Sequence, residues 1–182
     1  MQKFIAQIFS KIGIENLTLL TVLVPAGVFS RLIPHYPNVT ALVGISIVSG
    51  QLAKNKFLKF FIPVIAMMFS DLIFGSHPTM FWVYGSLVAV AAYSAVAGKR
   101  GVVGIPLTAA VSSLLFFAVS NFGVWISGGL YPLTLEGLTQ CFLLAVPFLT
   151  PQIMGDLAYT VFLMVFSEKV LNATASVEAV KA

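Results

Sequence analysis

The sequence predicts an all-α integral membrane protein with six transmembrane helices and both termini in the cytoplasm. The first observation behind this prediction is composition: 59% of the 182 residues are hydrophobic, 9% are charged, and the mean hydropathy is +1.00. The second is a series of apolar runs, most of them close to the roughly 20 residues that a helix needs to cross a bilayer. These properties exclude an ordinary soluble domain, and they predict a multi-pass protein embedded in the lipid bilayer.

The third observation is the placement of the cations, which predicts the topology. Nine of the ten lysines and arginines lie near the termini or in every second gap between the apolar runs, and Arg31 is the exception. The positive-inside rule places the cation-bearing gaps in the cytoplasm. Termini on the same side require an even number of spans, and six fit the runs. The nine residues are Lys3, Lys11, Lys54, Lys56, Lys59, Lys99, Arg100, Lys169 and Lys181.

The elements follow in order from the apolar runs and from the residues that interrupt them. Apolar residues at helical spacing beside Lys3 and Lys11 predict an interfacial amphipathic helix at 1–16. A six-helix membrane domain is expected over 17–171, followed by a flexible cytoplasmic tail at 172–182. The spans are predicted at about 17–33, 39–53, 57–74, 80–98, 103–126 and 152–170.

The stretch 134–149 leaves two alternatives open. It is apolar but too short to span the membrane comfortably. Pro147 lies within it and Pro151 follows it, and both prolines disfavour a regular helix. It either re-enters the membrane from the outer side or forms the upper arm of a kinked last helix. Both alternatives keep Lys169 in the cytoplasm.

Several classes of function are excluded by what the sequence lacks. The single cysteine, Cys141, cannot form an internal disulfide, and no Cys/His cluster predicts a metal centre. No cofactor is therefore expected. The net charge of +4 comes mostly from the lysines and arginines that orient the spans in the membrane, and it does not indicate a nucleic-acid partner. No nucleophile–base motif or phosphate-binding glycine loop is present, so we do not expect an enzyme.

Polar and ionisable side chains gather at the predicted outer ends of the spans. An ionisable group within a span costs about 3 kcal/mol on insertion scales, so it usually faces a cavity or a partner. Arg31 is the only outer cation and is the expected counter-charge of Asp71 or Asp156. The pattern predicts an outward-facing polar pocket that binds a substrate. The residues assigned to it are Arg31, His35, Asn38, Asp71, His77, Asn121, Trp125, Tyr131 and Asp156.

Each type of side chain suggests a role in such a pocket. Arg31 would meet an anionic or carbonyl group of the ligand. His35 or His77 would ligate a metal carried by the ligand or donate a hydrogen bond. Trp125 and Tyr131 would stack on a planar ligand.

The same residues also have structural interpretations, which the sequence leaves open. Arg31 with one of the two aspartates could be an ion pair that fixes helix packing. Asn121 could hydrogen-bond a neighbouring helix. Trp125 and Tyr131 fit the belt of aromatic residues at a membrane interface.

Several segments together resemble a bacterial membrane family without an assigned function that carries the label of a transport protein. The segments are 31–38, 70–75 with His77, Met80 and Tyr84, 113–117, 121–125, 131–134, 137–138, 147–148 and 155–157. The architecture is similar to the S components of energy-coupling-factor vitamin transporters. That resemblance implies a small six-helix protein that captures a vitamin-like or metal-linked ligand at the outer face and passes it inward with an energising module on the cytoplasmic side.

The resemblance implies a multi-pass uptake protein of the bacterial inner membrane, whose partners would be the small ligand and another membrane protein. Ser46 and Gly50 on the second span, with the alanines of the fourth, would provide small-residue faces for a partner helix. The alternative is a non-catalytic accessory or structural subunit of a larger membrane complex. A third hypothesis is a small intramembrane enzyme that uses the two aspartates, Asp71 and Asp156.

Overall fold

A computed structural model of the protein describes residues 12–98 and 101–181, without side chains at 101–103, 178, 180 and 181. Within those ranges the chain forms six α-helices and no strand, which confirms the all-α prediction. Four of them, α3 to α6, are long and apolar enough to cross a membrane. The helices are α1 Ile14–Leu32, α2 Leu42–Leu52, α3 Lys56–Phe74, α4 Met80–Ala97, α5 Gly101–Ser127 and α6 Leu135–Lys181.

Both the core and much of the outer surface of the bundle are apolar. Leu72 on α3, Phe81 on α4 and Phe162 on α6 are each more than 60% exposed. In water such faces would aggregate, whereas lipid chains solvate them without cost. The outward-facing side chains therefore support the membrane character that the helix lengths indicate.

The ends of the helices follow from local sequence. The side chain of Asn55 accepts hydrogen bonds from the backbone N–H groups of Phe57 and Leu58 and caps the start of α3. Gly75 and Gly98 end α3 and α4 with φ of 87° and 66°, a conformation that residues with a Cβ rarely adopt.

Helix α2 is the centre of the bundle. It has 11 residues, ten of which are buried, and it contacts each of the other five helices. A helix that is apolar on all sides is stable only when it is surrounded. The helical part is shorter than the span predicted at 39–53, because a helix enclosed by protein does not need the length that lipid contact would impose.

Small residues let the neighbours approach α2 closely. A Cβ added to Gly50 would lie 2.5 Å from the carbonyl oxygen of Ala91 on α4, and one added to Gly44 would lie 3.1 Å from the backbone nitrogen of Thr160 on α6. The Ser46 and Gly50 pair therefore packs against α4 of the same chain, as a pattern of small residues predicts. That contact is made within the chain, and the partner helix expected from the sequence stays a prediction.

The last helix decides between the alternatives for 134–149. The stretch lies almost entirely in α6, which runs from Leu135 to Lys181 as one helix with Pro147 and Pro151 inside it. It is thus the first arm of the last helix, and no re-entrant loop forms. Helix α6 also continues through most of 172–182, whose mobility stays a prediction.

The N-terminal interfacial helix predicted at 1–16 falls mostly outside the described residues. Residues 14–16 of that range already belong to α1.

We expect Gly50→Ala to lower the midpoint of thermal unfolding, because the added methyl group meets the backbone of α4; overpacking of this kind costs about 1–3 kcal/mol. Gly85→Ala is the matched control, since a Cβ at this position of α4 has nothing within 4 Å and alanine favours the helix. Tryptophan fluorescence of both variants during heating in detergent measures the difference. A midpoint for Gly50→Ala equal to that of Gly85→Ala would contradict the close contact.

Candidate binding site

A cavity of about 350 Å³ lies at the N-terminal end of α2. We call this end of the bundle, which carries the loops 33–41, 75–79 and 128–134, the upper end, and the opposite end the lower end. Side chains from the α1–α2 loop, the α3–α4 loop and all six helices line the cavity. Six of the nine residues assigned to the pocket from the sequence are among them: Arg31, His35, Asn38, His77, Asn121 and Asp156.

Asp71 lies behind the cavity wall, where it holds Arg31. Arg31 Nη1 donates to Asp71 Oδ1 at 2.5 Å, and the hydroxyl of Tyr84 donates to Asp71 Oδ2 at 2.9 Å. The side chains of Arg31 and Asp71 are 18% and 4% exposed. The ion pair joins α1 and α3, and Tyr84 adds α4. Of the two carboxylates that the sequence offers to Arg31, the structure therefore pairs it with Asp71.

One face of α3 is built to receive the guanidinium group. Met67, Ser70, Asp71 and Phe74 recur at helical spacing and point the same way. Arg31 Nη1 also donates to Ser70 Oγ and lies 3.1 Å from Met67 Sδ, and its Cζ sits 5.2 Å from the centre of the Phe74 ring. The arrangement fixes the arginine by charge, hydrogen bonds and a cation–π contact.

Asp156 is the second carboxylate of the site and faces the cavity directly. It is 1% exposed, and the hydroxyl of Ser113 on α5 donates to its Oδ2. Gln152 Nε2 donates to the carbonyl oxygen of Ser113 at 3.0 Å, and Thr160 Oγ1 donates to the carbonyl oxygen of Asp156 at 2.6 Å. Gln152, Asp156 and Thr160 are four residues apart and share one face of α6.

Two histidines and an asparagine form the rim of the cavity. His35 Nδ1 is 2.9 Å from the carbonyl oxygen of Tyr36, and His77 Nδ1 is 2.9 Å from Thr79 Oγ1. Asn38 is exposed and has a φ of 64°. In the part of the chain that the structure describes, no three His, Cys, Asp or Glu side chains are grouped as a metal site.

Asn121 lines the cavity but does not form the side-chain bond to another helix that its sequence context favours. Its Nδ2 donates to the carbonyl oxygen of Phe117, one turn earlier on α5, at 2.8 Å. Contact with α6 comes instead through its backbone, whose oxygen lies 3.5 Å from Cys141 Sγ.

Trp125 and Tyr131 are not among the cavity-lining residues, which removes the geometry for the stacking role expected from the sequence. Trp125 Nε1 donates to the carbonyl oxygen of Pro132 at 3.0 Å, and its ring packs on Phe122 at 5.4 Å. The indole is therefore tied to the α5–α6 loop, to which Tyr131 itself belongs, and it fits the structural interpretation better.

Sequence reasoning missed several lining residues, of which Gln152 is the most informative. Its side chain is buried at the cavity wall and braces Ser113, the donor to Asp156. One feature of the sequence could have identified Gln152: it is a polar residue in an apolar run, one helical turn before Asp156. Thr40, Thr79 and Ser120 also line the cavity, but nothing in their local sequence distinguishes them from other loop and helix residues.

Fold and site together define an all-helical protein with membrane-length apolar helices and one polar cavity at an end of the bundle. The chain belongs to the family described as Family of unknown function (DUF6580), which it matches over residues 11–177. No curated protein matches the chain. No solved structure matches it either. The resemblance to a family without an assigned function is confirmed, whereas the transport label and the similarity to S components remain predictions.

We expect Asp71→Asn to lower the free energy of unfolding by about 3 kcal/mol, because it leaves the buried guanidinium of Arg31 without a counter-charge. Glu15→Gln is the matched control. It removes the ion pair between Glu15 and Lys54, whose side chains are 36% and 73% exposed, and should cost less than about 1 kcal/mol. Denaturant unfolding in detergent measures both. Equal losses in the two variants would show that the Arg31–Asp71 pair does not hold the helices together.

Proposed function

We propose that this protein is a six-pass protein of the bacterial inner membrane that captures a small molecule in the cavity at its upper end, for uptake into the cell. One observation carries the proposal. Residues far apart in the sequence, from Arg31 in α1 to Asp156 in α6, meet around a single cavity. A bundle that needed only to be stable would pack this volume with apolar side chains.

The size and lining of the cavity suit a small ligand. Its volume of about 350 Å³ lies at the lower end of the roughly 300–1,000 Å³ typical of ligand pockets. Leu42, Val43, Val83 and Phe116 supply apolar walls, and a few polar groups stand among them. This combination can desolvate a compact organic molecule and orient it, which agrees with the vitamin-like ligand expected from the resemblance.

The six passes are supported by the distribution of charge. Lys54, Lys56 and Lys59 follow the lower end of α2, so the positive-inside rule places the cavity on the outer side. Helix α2 is only about 16 Å long, roughly half of the hydrocarbon thickness. Residues 33–41 complete its pass, and non-helical backbone at that depth is tolerated because it lines a cavity.

The energy for uptake would come from elsewhere. The sequence contains no phosphate-binding glycine loop, so nucleotide hydrolysis would belong to a membrane partner or energising module. In this proposal the protein selects the ligand, and the membrane partner or an ion gradient drives the ligand across the membrane.

A structural role in a larger membrane complex is the second candidate. The observation that favours it is the Arg31 cluster, whose hydrogen bonds join α1 to α3 and would be explained by packing alone. Under this alternative the cavity is a by-product of the short α2, and it holds water.

Native mass spectrometry of protein extracted gently from its own membrane tests the capture function. We expect a bound small molecule on the wild-type chain and none on Ser120→Phe, because Ser120 lines the cavity and a phenyl ring there fills it. Ser127→Phe is the matched control. Both serines lie on α5 and donate to the carbonyl oxygen four residues earlier at 2.7 Å, but Ser127 is exposed beyond the cavity.

Ligand retained by Ser127→Phe and lost from Ser120→Phe would support capture. A bare wild-type chain bound stoichiometrically to other membrane subunits would favour the structural alternative instead.

Single cysteines test the topology in a Cys141→Ser background. In spheroplasts, a membrane-impermeant maleimide should label Ser76→Cys, in the exposed α3–α4 loop, without permeabilisation. It should label Lys56→Cys, at the exposed start of α3, only after permeabilisation. Labelling of both or neither from outside would contradict the proposed orientation.

A further inference from the structure

We infer that the molecule captured in the cavity is an organic cation, whose positively charged nitrogen pairs with Asp156. The inference rests on the proposed capture function and specifies the chemical class of the ligand. It comes from a charge imbalance in the cavity wall.

The carboxylate of Asp156 is buried, and in the part of the chain that the structure describes no cationic side chain pairs with it. The hydrogen bond that the structure describes at this carboxylate has a neutral donor, the hydroxyl group of Ser113, which donates to Oδ2. A carboxylate removed from water needs more than neutral donors, since burying an unpaired charge costs several kcal/mol. Near this site Arg31 pairs with Asp71, and at the lower end Lys54 pairs with Glu15. Neither of them supplies a cation to Asp156.

The other side chains of the cavity that can carry a positive charge, Arg31, His35 and His77, contact groups other than Asp156. The described ring-nitrogen contacts of His35 and His77 are with the Tyr36 carbonyl oxygen and the Thr79 hydroxyl, and neither histidine forms an ion pair with Asp156. Arg31 lines the cavity, but Asp71 balances its charge. The fixed charges around the cavity, with Asp156 ionised, therefore sum to a net negative value. A cationic ligand would complete the site, and an anionic one would leave two negative charges close together.

An organic cation suits this site better than a metal ion. Hard cations such as Ca²⁺ take six to eight oxygen ligands. Asp156 is the one carboxylate among the described residues that line this cavity, and no three described His, Cys, Asp or Glu side chains are grouped there. An ammonium, amidinium or ring nitrogen needs only the carboxylate and an apolar wall, and the cavity provides Val43 and Phe116 for the rest of the molecule.

The experiment presents the purified full-length chain with a deproteinised small-molecule extract of the expression host, divided by ion exchange into cationic, neutral and anionic fractions. Sodium chloride alone forms a fourth arm. Native mass spectrometry detects bound mass in each arm, and the midpoint of thermal unfolding reports stabilisation. We expect bound mass and stabilisation with the cationic fraction only.

Variants assign the effect to Asp156. Asp156→Asn keeps the size of the side chain but removes its charge and should weaken binding at least about tenfold, as expected when one partner of a desolvated charge pair is lost. Glu136→Gln is the control, because it removes an exposed carboxylate from the same helix away from the cavity. Asp156→Glu retains the charge and should still select the cationic fraction. The selectivity of the wild-type chain is informative even if Asp156→Asn fails to fold.

The outcomes separate the two proposals. Binding from the anionic or neutral fraction, or binding that Asp156→Asn leaves unchanged, would overturn the cation assignment while the capture function stands. Stabilisation by sodium chloride alone, with no organic adduct, would assign the site to an inorganic cation and overturn the inference. Bound mass in none of the arms would overturn capture and the inference together.

Discussion

The structure depends on the complete enclosure of a helix that is too short to span a membrane. Helix α2 is surrounded by five longer helices, and glycines at 44 and 50 bring the backbones of α6 and α4 against it. Because its neighbours continue past its first turn, a volume remains above that turn which no helix fills. Leu42 and Val43 form one wall of this volume, and the α1–α2 loop forms another. The short α2 thus gives the cavity its position, and the polar side chains of the surrounding helices give it its chemistry.

Two buried aspartates serve different purposes because their partners differ. Asp71 meets a guanidinium and a phenol, and the resulting bonds hold three helices at the upper end. Asp156 meets the neutral donor Ser113 and faces the cavity. Membrane proteins retain ionisable groups only where a partner or a function offsets their desolvation. The first aspartate has its partner within the chain, and the second is the one that the proposed ligand would complete.

Sequence patterns were sufficient for the order of the helices and for six of the residues that line the cavity, because run length, proline and charge act locally. They could not decide which aspartate pairs with Arg31, since this depends on how α3 is rotated against α1. They missed Gln152 for a similar reason, because its role comes from contact with Ser113 on another helix. Trp125 lies at the expected end of α5, but a hydrogen bond to the following loop turns its indole away from the cavity.

The proline spacing of α6 has a mechanical consequence. After Pro151 the helix contains no further proline, so from Gln152 to Lys181 it is one rod about 45 Å long. Asp156 is located close to the upper end of that rod. A rotation of about 10° around Pro151 would move the far end by about 8 Å, given the rise of a helix. Such a rotation would magnify a shift of about one ångström beside the carboxylate, with the last turns of α6 as the long arm of a lever.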